Sequence, residues 1–280
     1  MKYLNMKRLI LILIALSVSG WGGVQLGGGV EAAAGGGGAT ITAYDTFASD
    51  KSADWEAWGG SSCVGAVGWF TINTDAGACH PKTSAYPPPS TPDHWIFVEG
   101  NVNGEYFIGP SFRLKSTEPT LSTEHNYVLR CNSTNYAMRS CSSDATDGGA
   151  DCTDTHVFAQ ACDGTIEAQA VAVAGAGAST EICFWFWDGA SGVDVSTETP
   201  ENWGNADECL KDGLTTGDPM TLLAAFEDCE GADTTDCDDF GVNDPGNLKG
   251  WSDEYTNVAL YSGSTLSTEY IKFSMGDLGL

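Results

Sequence analysis

Four aromatic residues in succession, Phe184-Trp185-Phe186-Trp187, are the most chemically suggestive feature of this 280-residue sequence. On an extended strand, alternate side chains point to opposite faces. Phe184 and Phe186 then share one face, and Trp185 and Trp187 the other. One pair must enter a core. The other forms an aromatic platform suited to stacking on sugar rings, unless inserted loops cover it and make both pairs core. Trp203 and Trp251 fall in turn-rich sequence, as do Asp188 and Asn202. Stacking surfaces beside groups that hydrogen-bond hydroxyls are what a carbohydrate site requires. The candidate ligand-binding set is therefore Trp185, Trp187, Trp203, Trp251, Asp188 and Asn202. Ordinary anchoring of loops accounts for the same residues.

A second cluster is acidic. Asp233, Asp236, Asp238, Asp239, Asn243 and Asp244 crowd one segment. Calcium draws six to eight oxygens from such segments, and Asp236, Asp238 and Asp239 are its candidate ligands here. Asp236-x-Asp238 followed by Gly241 begins like an EF-hand loop. Phe240 at the fifth position and Asn247 at the twelfth, where a bidentate Glu belongs, exclude that motif. The bland alternative is solvated surface charge, because the acidic excess runs along the whole chain. No cofactor other than calcium is suggested. No G-x-S-x-G, H-E-x-x-H or phosphate-binding loop occurs, and no catalytic residue is assigned.

The charge balance narrows the partners. Twelve basic and 38 acidic side chains give a net charge of -26. Nucleic acid requires clustered cations to displace its counterions, and an anionic membrane surface requires the same. Neither partner fits. Anionic polysaccharide is also repelled unless a local basic cleft offsets the field.

The elements that must position these residues lie behind an export signal. Lys2, Lys7 and Arg8 lead into an apolar run from Leu9 to Val18, broken only by Ser17, so residues 1–20 read as a signal peptide. Residues 21–38 are glycine-rich and read as a tether or processing region. A secreted or cell-surface location follows. The ten cysteines agree with it, since an even count in an exported chain favours disulfides. Zinc would need C-x₂₋₄-C pairs, and none exists. Neighbour pairing is expected: Cys63–Cys79, Cys131–Cys141, Cys152–Cys162, Cys183–Cys209 and Cys229–Cys237.

From residue 39 to 280 the chain reads as one domain, with an acidic loop insertion around 190–250. Sustained helical periodicity is missing, and a short helix is allowed only within 207–226. Strand-like runs fall at 40–47, 66–72, 95–102, 104–114, 126–131, 134–139, 155–161, 165–174, 180–188, 221–227, 256–261 and 269–275. Many short strands with turn residues between them predict an all-β antiparallel sandwich or barrel. Asn103-Gly104 between two alternating runs predicts a tight hairpin.

Four segments carry a family resemblance. Asp45-Thr46-Phe47 followed by Trp55 resembles the first strand of the concanavalin A-like lectin/glucanase (laminin-G-like) jelly rolls. Tyr106-Phe107-Ile108-Gly109-Pro110-Ser111-Phe112-Arg113 resembles their central strand, and Asn126-Tyr127-Val128-Leu129-Arg130 the strand that follows. Ile271-Lys272-Phe273-Ser274-Met275-Gly276-Asp277-Leu278 resembles their closing strand, which pairs beside the first. The resemblance covers most of residues 40–280, with the region 190–250 departing from it. It implies two antiparallel sheets, one of them often binding carbohydrate. The E-x-D-x-x-E or E-x-D-x-E strand of sugar-cleaving members is missing: Glu181 is followed by Cys183 where the Asp belongs. The expected protein is a disulfide-stapled jelly-roll sandwich that binds carbohydrate or another cell-surface ligand without catalysis. The alternatives are a structural surface subunit of a filament or adhesion assembly, with self-association, and a divergent polysaccharide lyase or glycoside hydrolase.

Overall fold

Alternation of large apolar residues with small or polar ones accounts for many of the strands among the described residues. A computed structural model describes residues 38–58, 62–73, 77–101, 109–114, 126–131, 134–141, 152–175, 181–211, 226–227, 248–249, 257–262 and 268–280. Two antiparallel sheets make up nearly all of it. Sheet A runs, in spatial order, β13 (Glu208–Lys211), β12 (Glu181–Asp188), β11 (Ile166–Ala174), β6 (His94–Asn101), β17 (Thr268–Asp277), β4 (Trp69–Asn73) and β3 (Ser62–Ala66). The first strand, β1 (Thr40–Asp45), pairs with the second half of β17. Sheet B runs β10 (Cys152–Ala161), β9 (Asn135–Cys141), β8 (Asn126–Cys131), β7 (Gly109–Leu114), β16 (Asn257–Ser262), β5 (Gly77–Pro81) and β2 (Trp55–Trp58). A two-residue parallel pair, β14 (Phe226–Glu227) with β15 (Leu248–Lys249), stands apart. Among the described residues there is no α-helix, only 3₁₀ turns at Ser52–Asp54 and Pro200–Asn202. None of their helices is long and apolar enough to cross a membrane.

The sheets face each other across one apolar core. Ile96, Val98, Val171, Phe184 and Phe273 enter it from sheet A, and Phe112, Leu129, Met138, Phe158 and Leu260 from sheet B. At one end the residues after β1 seal it. Phe47 sits in the left-handed region (φ 51°), held by its N–H donating to Asp45 Oδ1 at 2.5 Å. Asp45 also accepts the Tyr86 hydroxyl and faces Lys51 Nζ at 3.5 Å. That polar clamp justifies the strained backbone, because it drives Phe47 into a stack on Phe70 (5.3 Å), beside Trp55. Trp55 is itself part of the core. At another margin, His156 of β10 contacts Glu208 of β13 at 3.1 Å and ties an edge of sheet B to an edge of sheet A.

Several expectations change. The run 66–72 straddles a turn: Val67-Gly68 joins β3 to β4 as a hairpin. Strands β2 and β5 are additional; their sequences, WEAW and GACHP, carry too little alternation to announce a strand. Within 207–226, the segment Glu208–Lys211 is a strand paired to β12 rather than a helix, and 212–225 lie outside the described residues. Asn103-Gly104 lies outside the described residues, and the strands β6 and β7 on either side of it do not pair with each other. Strand β6 already has β11 and β17 on its two flanks, so the chain passes to sheet B, where β7 pairs with β8 and β16.

Cys63–Cys79 and Cys183–Cys209 are bonded as expected. Cys131 is not paired with Cys141, nor Cys152 with Cys162. The bond is Cys131–Cys162, with both residues fully buried. The cause is the register of β9 and β10, which sets Cys141 opposite Cys152 and carries Cys162 back toward the end of β8. There the Cys162 N–H donates to Thr134 O at 3.1 Å. Cys229 and Cys237 lie outside the described residues. Non-reducing peptide mapping is expected to recover Cys131 joined to Cys162. Replacing both by Ala is expected to cost about 2–4 kcal/mol in denaturant unfolding. A fragment joining Cys131 to Cys141 would contradict this topology.

Candidate functional site

The aromatic run lies on β12 as alternation requires. Phe184 and Phe186 enter the core between the sheets, and Trp185 and Trp187 occupy the opposite face of sheet A. Room for the two indoles comes from β11, whose residues on that face are Ala168, Ala170, Ala172 and Ala174. Strand β6 adds Trp95 and Phe97.

This face is not bare. A strap, residues 189–207, runs over it and buries Val193 and Val195 against it. Left-handed turns at Gly189 and Gly192 (φ 95° and 75°) reverse the chain after β12, a conformation that penalises any side chain. A capping box between Thr199 and Asn202 closes the strap's 3₁₀ turn. The strap then inserts Trp203 among four aromatic rings. Its centroid lies 5.3 Å from Trp95, 5.7 Å from Phe97, 5.6 Å from Trp185 and 6.0 Å from Trp187, with the three indoles edge-to-face. Such pairs contribute roughly 0.5–1.5 kcal/mol each beyond burial. Trp185 Nε1 donates to Gly204 O at 3.2 Å, and Phe186 N to Asp207 Oδ2 at 2.8 Å.

The strap is held by a charge pair. Glu99 on β6 stands directly opposite Lys272 on β17, on the face away from the core. Glu99 Oε2 accepts Lys272 Nζ at 3.1 Å, Ser191 N at 3.0 Å and Ser191 Oγ at 2.5 Å. Lys272 Nζ also reaches Val193 O at 3.4 Å. The carboxylate is buried, so its attraction to the ammonium is little screened and its desolvation must be offset by all of these contacts.

The structure thus brings Trp185, Trp187 and Trp203 into one cluster. Trp185 is only 2% exposed, whereas Trp187 and Trp203 are half-buried at the cluster's margin. Asn202 is exposed beside Trp203, and its Oδ1 caps the Thr199 N–H at 3.1 Å. Asp188 goes elsewhere. By alternation it belongs to the core side of β12, at the strand end, where it is exposed. Trp251, Asp236, Asp238 and Asp239 lie outside the described residues.

Asp188 joins a carboxyl cluster that the sequence reading does not foresee. Carboxylate oxygens of Asp163, Glu167 and Asp188 lie within 4.8 Å of one another. Glu167 is opposite Asp188 in the β11–β12 register and is fully buried. Its Oε2 accepts the Tyr136 hydroxyl from sheet B at 2.8 Å, and its Oε1 accepts Gly164 N at 2.6 Å. Burial raises the Glu167 pKa; the charges of Asp188 and Asp163 push the same way, against these two hydrogen bonds. Burial and the Glu167 contact also raise the Tyr136 pKa. Since both Glu167 oxygens already accept hydrogen bonds, the cluster suits holding a proton better than surrounding a cation. The other gathering of ligand-type atoms among the described residues, Glu181 with Cys183 and Cys209, has both sulfurs in a disulfide. A charged residue inside an apolar strand, as in HWIFVEGN around Glu99, is the one signal in the sequence that pointed to these buried partners.

No family model and no curated protein matches the chain. Solved structures give distant likenesses. One is a protein of unknown function from Shewanella oneidensis MR-1, with 6% identity, TM-score 0.34, and 79% of this chain and 76% of that one covered. Another is an endo-1,3-beta-glucanase from Streptomyces sioyaensis, with 10% identity, TM-score 0.39, and 85% and 96% covered. A third is the Emp46p carbohydrate recognition domain in its potassium-bound form, with 10% identity, TM-score 0.38, and 84% and 99% covered. At these TM-scores the likenesses carry no argument about function.

Two outcomes follow from the geometry. Lys272→Met leaves the Glu99 carboxylate buried without its cation and is expected to cost about 3 kcal/mol in urea unfolding, while Glu99→Leu with Lys272→Met recovers most of that loss. Equal cost for the single and double variants would rule the clamp out. The raised Glu167 pKa stabilises the fold below the unfolded carboxyl's pKa, and that contribution is lost as pH rises through the folded value. Glu167→Gln has no such loss: its carbonyl accepts Gly164 N, and the Tyr136 hydroxyl turns to Ala168 O, 3.3 Å away. Its melting temperature is expected to gain on that of the native protein between pH 4 and 8; a gap independent of pH would contradict this.

Proposed function

We propose that the protein is an exported, non-catalytic carbohydrate-binding β-sandwich, one domain spanning about 39–280, whose ligand meets the margin where Trp187 and Trp203 emerge from the strap. The observation that carries this reading is the packing of that pair. Trp187 lies 5.6 Å from Phe97 and 6.0 Å from Trp203, both edge-to-face, so two rings support its indole from the side. A preorganised aromatic face costs little entropy on binding, and it supplies the stacking surface a sugar ring needs. The exposed Asn202 retains its amide N–H donors, and exposed Glu201 offers a carboxylate acceptor, in keeping with a few polar groups that orient hydroxyls. Trp185 supports the ring pair from below rather than meeting ligand. Trp251 belongs to this reading only as a further contact and calcium at Asp236, Asp238 and Asp239 only as an accessory ion, while Asp188, on the core side of β12, stands outside it. Export is supported by the basic and apolar N-terminal stretch and by the three disulfides of the described residues.

A glycan array probed with the full chain, with calcium and again with chelator, is the test. Trp187→Ala is expected to weaken the bound glycan at least tenfold and Trp187→Phe less. Unchanged binding by a folded Trp187→Ala protein would remove the site, and signals indifferent to chelator would remove the ion.

A further inference from the structure

The strap leaves and rejoins sheet A at the corner where Glu167 is buried. Asp188, whose carboxyl lies within 4.8 Å of those of Glu167 and Asp163, comes immediately before Gly189, where the strap begins. Asp207, where the strap ends, is tied to the same strand. Its N–H donates to Phe184 O at 2.8 Å, and its carboxylate accepts Phe186 N at 2.8 Å. Gly164 makes the crowding possible. A methyl group there would stand 2.6 Å from Glu167 Oε1 and 3.1 Å from Asp188 Oδ1, so the two carboxyls share the space that a side chain would take.

The groups facing Glu167 come from four elements. Strand β9 supplies the Tyr136 hydroxyl, the turn after β10 supplies Asp163 and the Gly164 N–H, and β12 supplies Asp188. Strand β6 presents Gly100, without a side chain, at the opposite register position. Asp207 adds a further negative charge, felt at Tyr136. Next to Asp207 in the chain, Glu208 meets His156 of β10, which is charged only when protonated, at 3.1 Å. Carboxylates this close repel unless one of them keeps a proton, and burial favours the proton on Glu167. Glu167 itself has no room to retreat, because Tyr136 and Gly164 hold both of its oxygens. Asp188 is exposed, so the repulsion acts by pushing Asp188 outward.

That displacement reaches the clamp through a short lever. Only Gly189, in its left-handed turn, and Ala190 separate Asp188 from Ser191, whose N–H and Oγ both bond Glu99. Three residue steps span about 11 Å at most, which leaves little slack. We infer that the strap is a pH-governed cover, closed over the tryptophan face while Glu167 carries a proton and released from Glu99 when Glu167 ionises against Asp188. The sign follows from linkage. The closed strap crowds the carboxyls and so binds the proton more tightly than the open one; acid therefore closes it and rising pH opens it. Trp203 and Asn202 ride on the strap, so its release withdraws both from Trp187. The switch belongs to the strap itself and stands whether or not the Trp187 margin takes a sugar.

The test is amide hydrogen exchange of the full chain, read by mass spectrometry at about pH 5 and about pH 8, with each rate divided by the intrinsic chemical rate at that pH. Peptides from 189–199 report the strap, and peptides from β17 report unfolding of the whole sandwich. Relative to β17, strap protection is expected to fall about fivefold or more from the lower pH to the higher. Glu167→Gln, whose amide does not ionise, and Asp188→Asn, which removes the opposing charge, are each expected to shrink that fall to less than about twofold. Asp188 is exposed, so the Asn variant reads the effect alone if the Gln variant does not fold. Strap protection that changes in step with β17 would make Glu167 a contributor to overall stability only, and would overturn the proposal. A fall that persists undiminished in Asp188→Asn would overturn it as well.

Discussion

A carboxylate in the middle of an apolar sheet must be neutralised where it stands, and the Glu99–Lys272 pair is that constraint here. The two residues face each other across adjacent central strands, and Ser191 adds two hydrogen bonds to the same oxygen. Once that site is filled, the strap has only one place to lie. Its position decides that Val193 and Val195 are buried, that Trp203 reaches Trp95, and that Trp185 is sealed. Sheet A then carries apolar material on both faces, which is why β12 reads EICFWFWD without a polar alternation.

Both ends of the inter-sheet core are closed by a carboxylate and a tyrosine, with opposite consequences. At one end Tyr86 and Lys51 gather on Asp45 and hold Phe47 in its turn, so the surroundings are aromatic and the clamp is structural. At the other, Tyr136 meets Glu167, but the neighbours are Asp163 and Asp188 rather than a cation. Like charges in a desolvated corner favour the protonated acid. The first arrangement fixes a backbone; the second makes a corner of the sandwich responsive to acidity.

How much of this was legible follows from the range of each interaction. Strand identity came through where alternation is strong: 126–131 coincides with β8, and 180–188 differs from β12 by one residue. The split of the aromatic run between two faces was also readable, because it depends on a period of two and nothing else. What covers the tryptophan face was not, since a strap joined by Gly189 and Gly192 looks like any loop until its contacts with Glu99 are known. The pairing of Cys131 failed for the same reason. Neighbour pairing assumes that chain proximity decides, whereas the β9–β10 register decides. Hairpin signals share that weakness: Asn103-Gly104 is locally persuasive, yet both flanks of β6 are already taken.

Strand β17 follows every other strand in chain order yet lies at the centre of sheet A, between β6 on one side and β1 and β4 on the other. Sheet A cannot close before residues 268–277 are in place. Everything before them must wait as an open, collapsible chain with β6 unpaired on one flank. The contacts that end this wait join residues more than 200 positions apart, such as Thr40 with Asp277. Loop closure over such distances makes folding slow, on the millisecond-to-second scale or longer, and leaves strand edges exposed meanwhile. Until residues 268–277 arrive, the apolar runs of the other strands of sheet A lack their central partner. A net charge of -26 sets a mutual repulsion against contact between such unfinished copies.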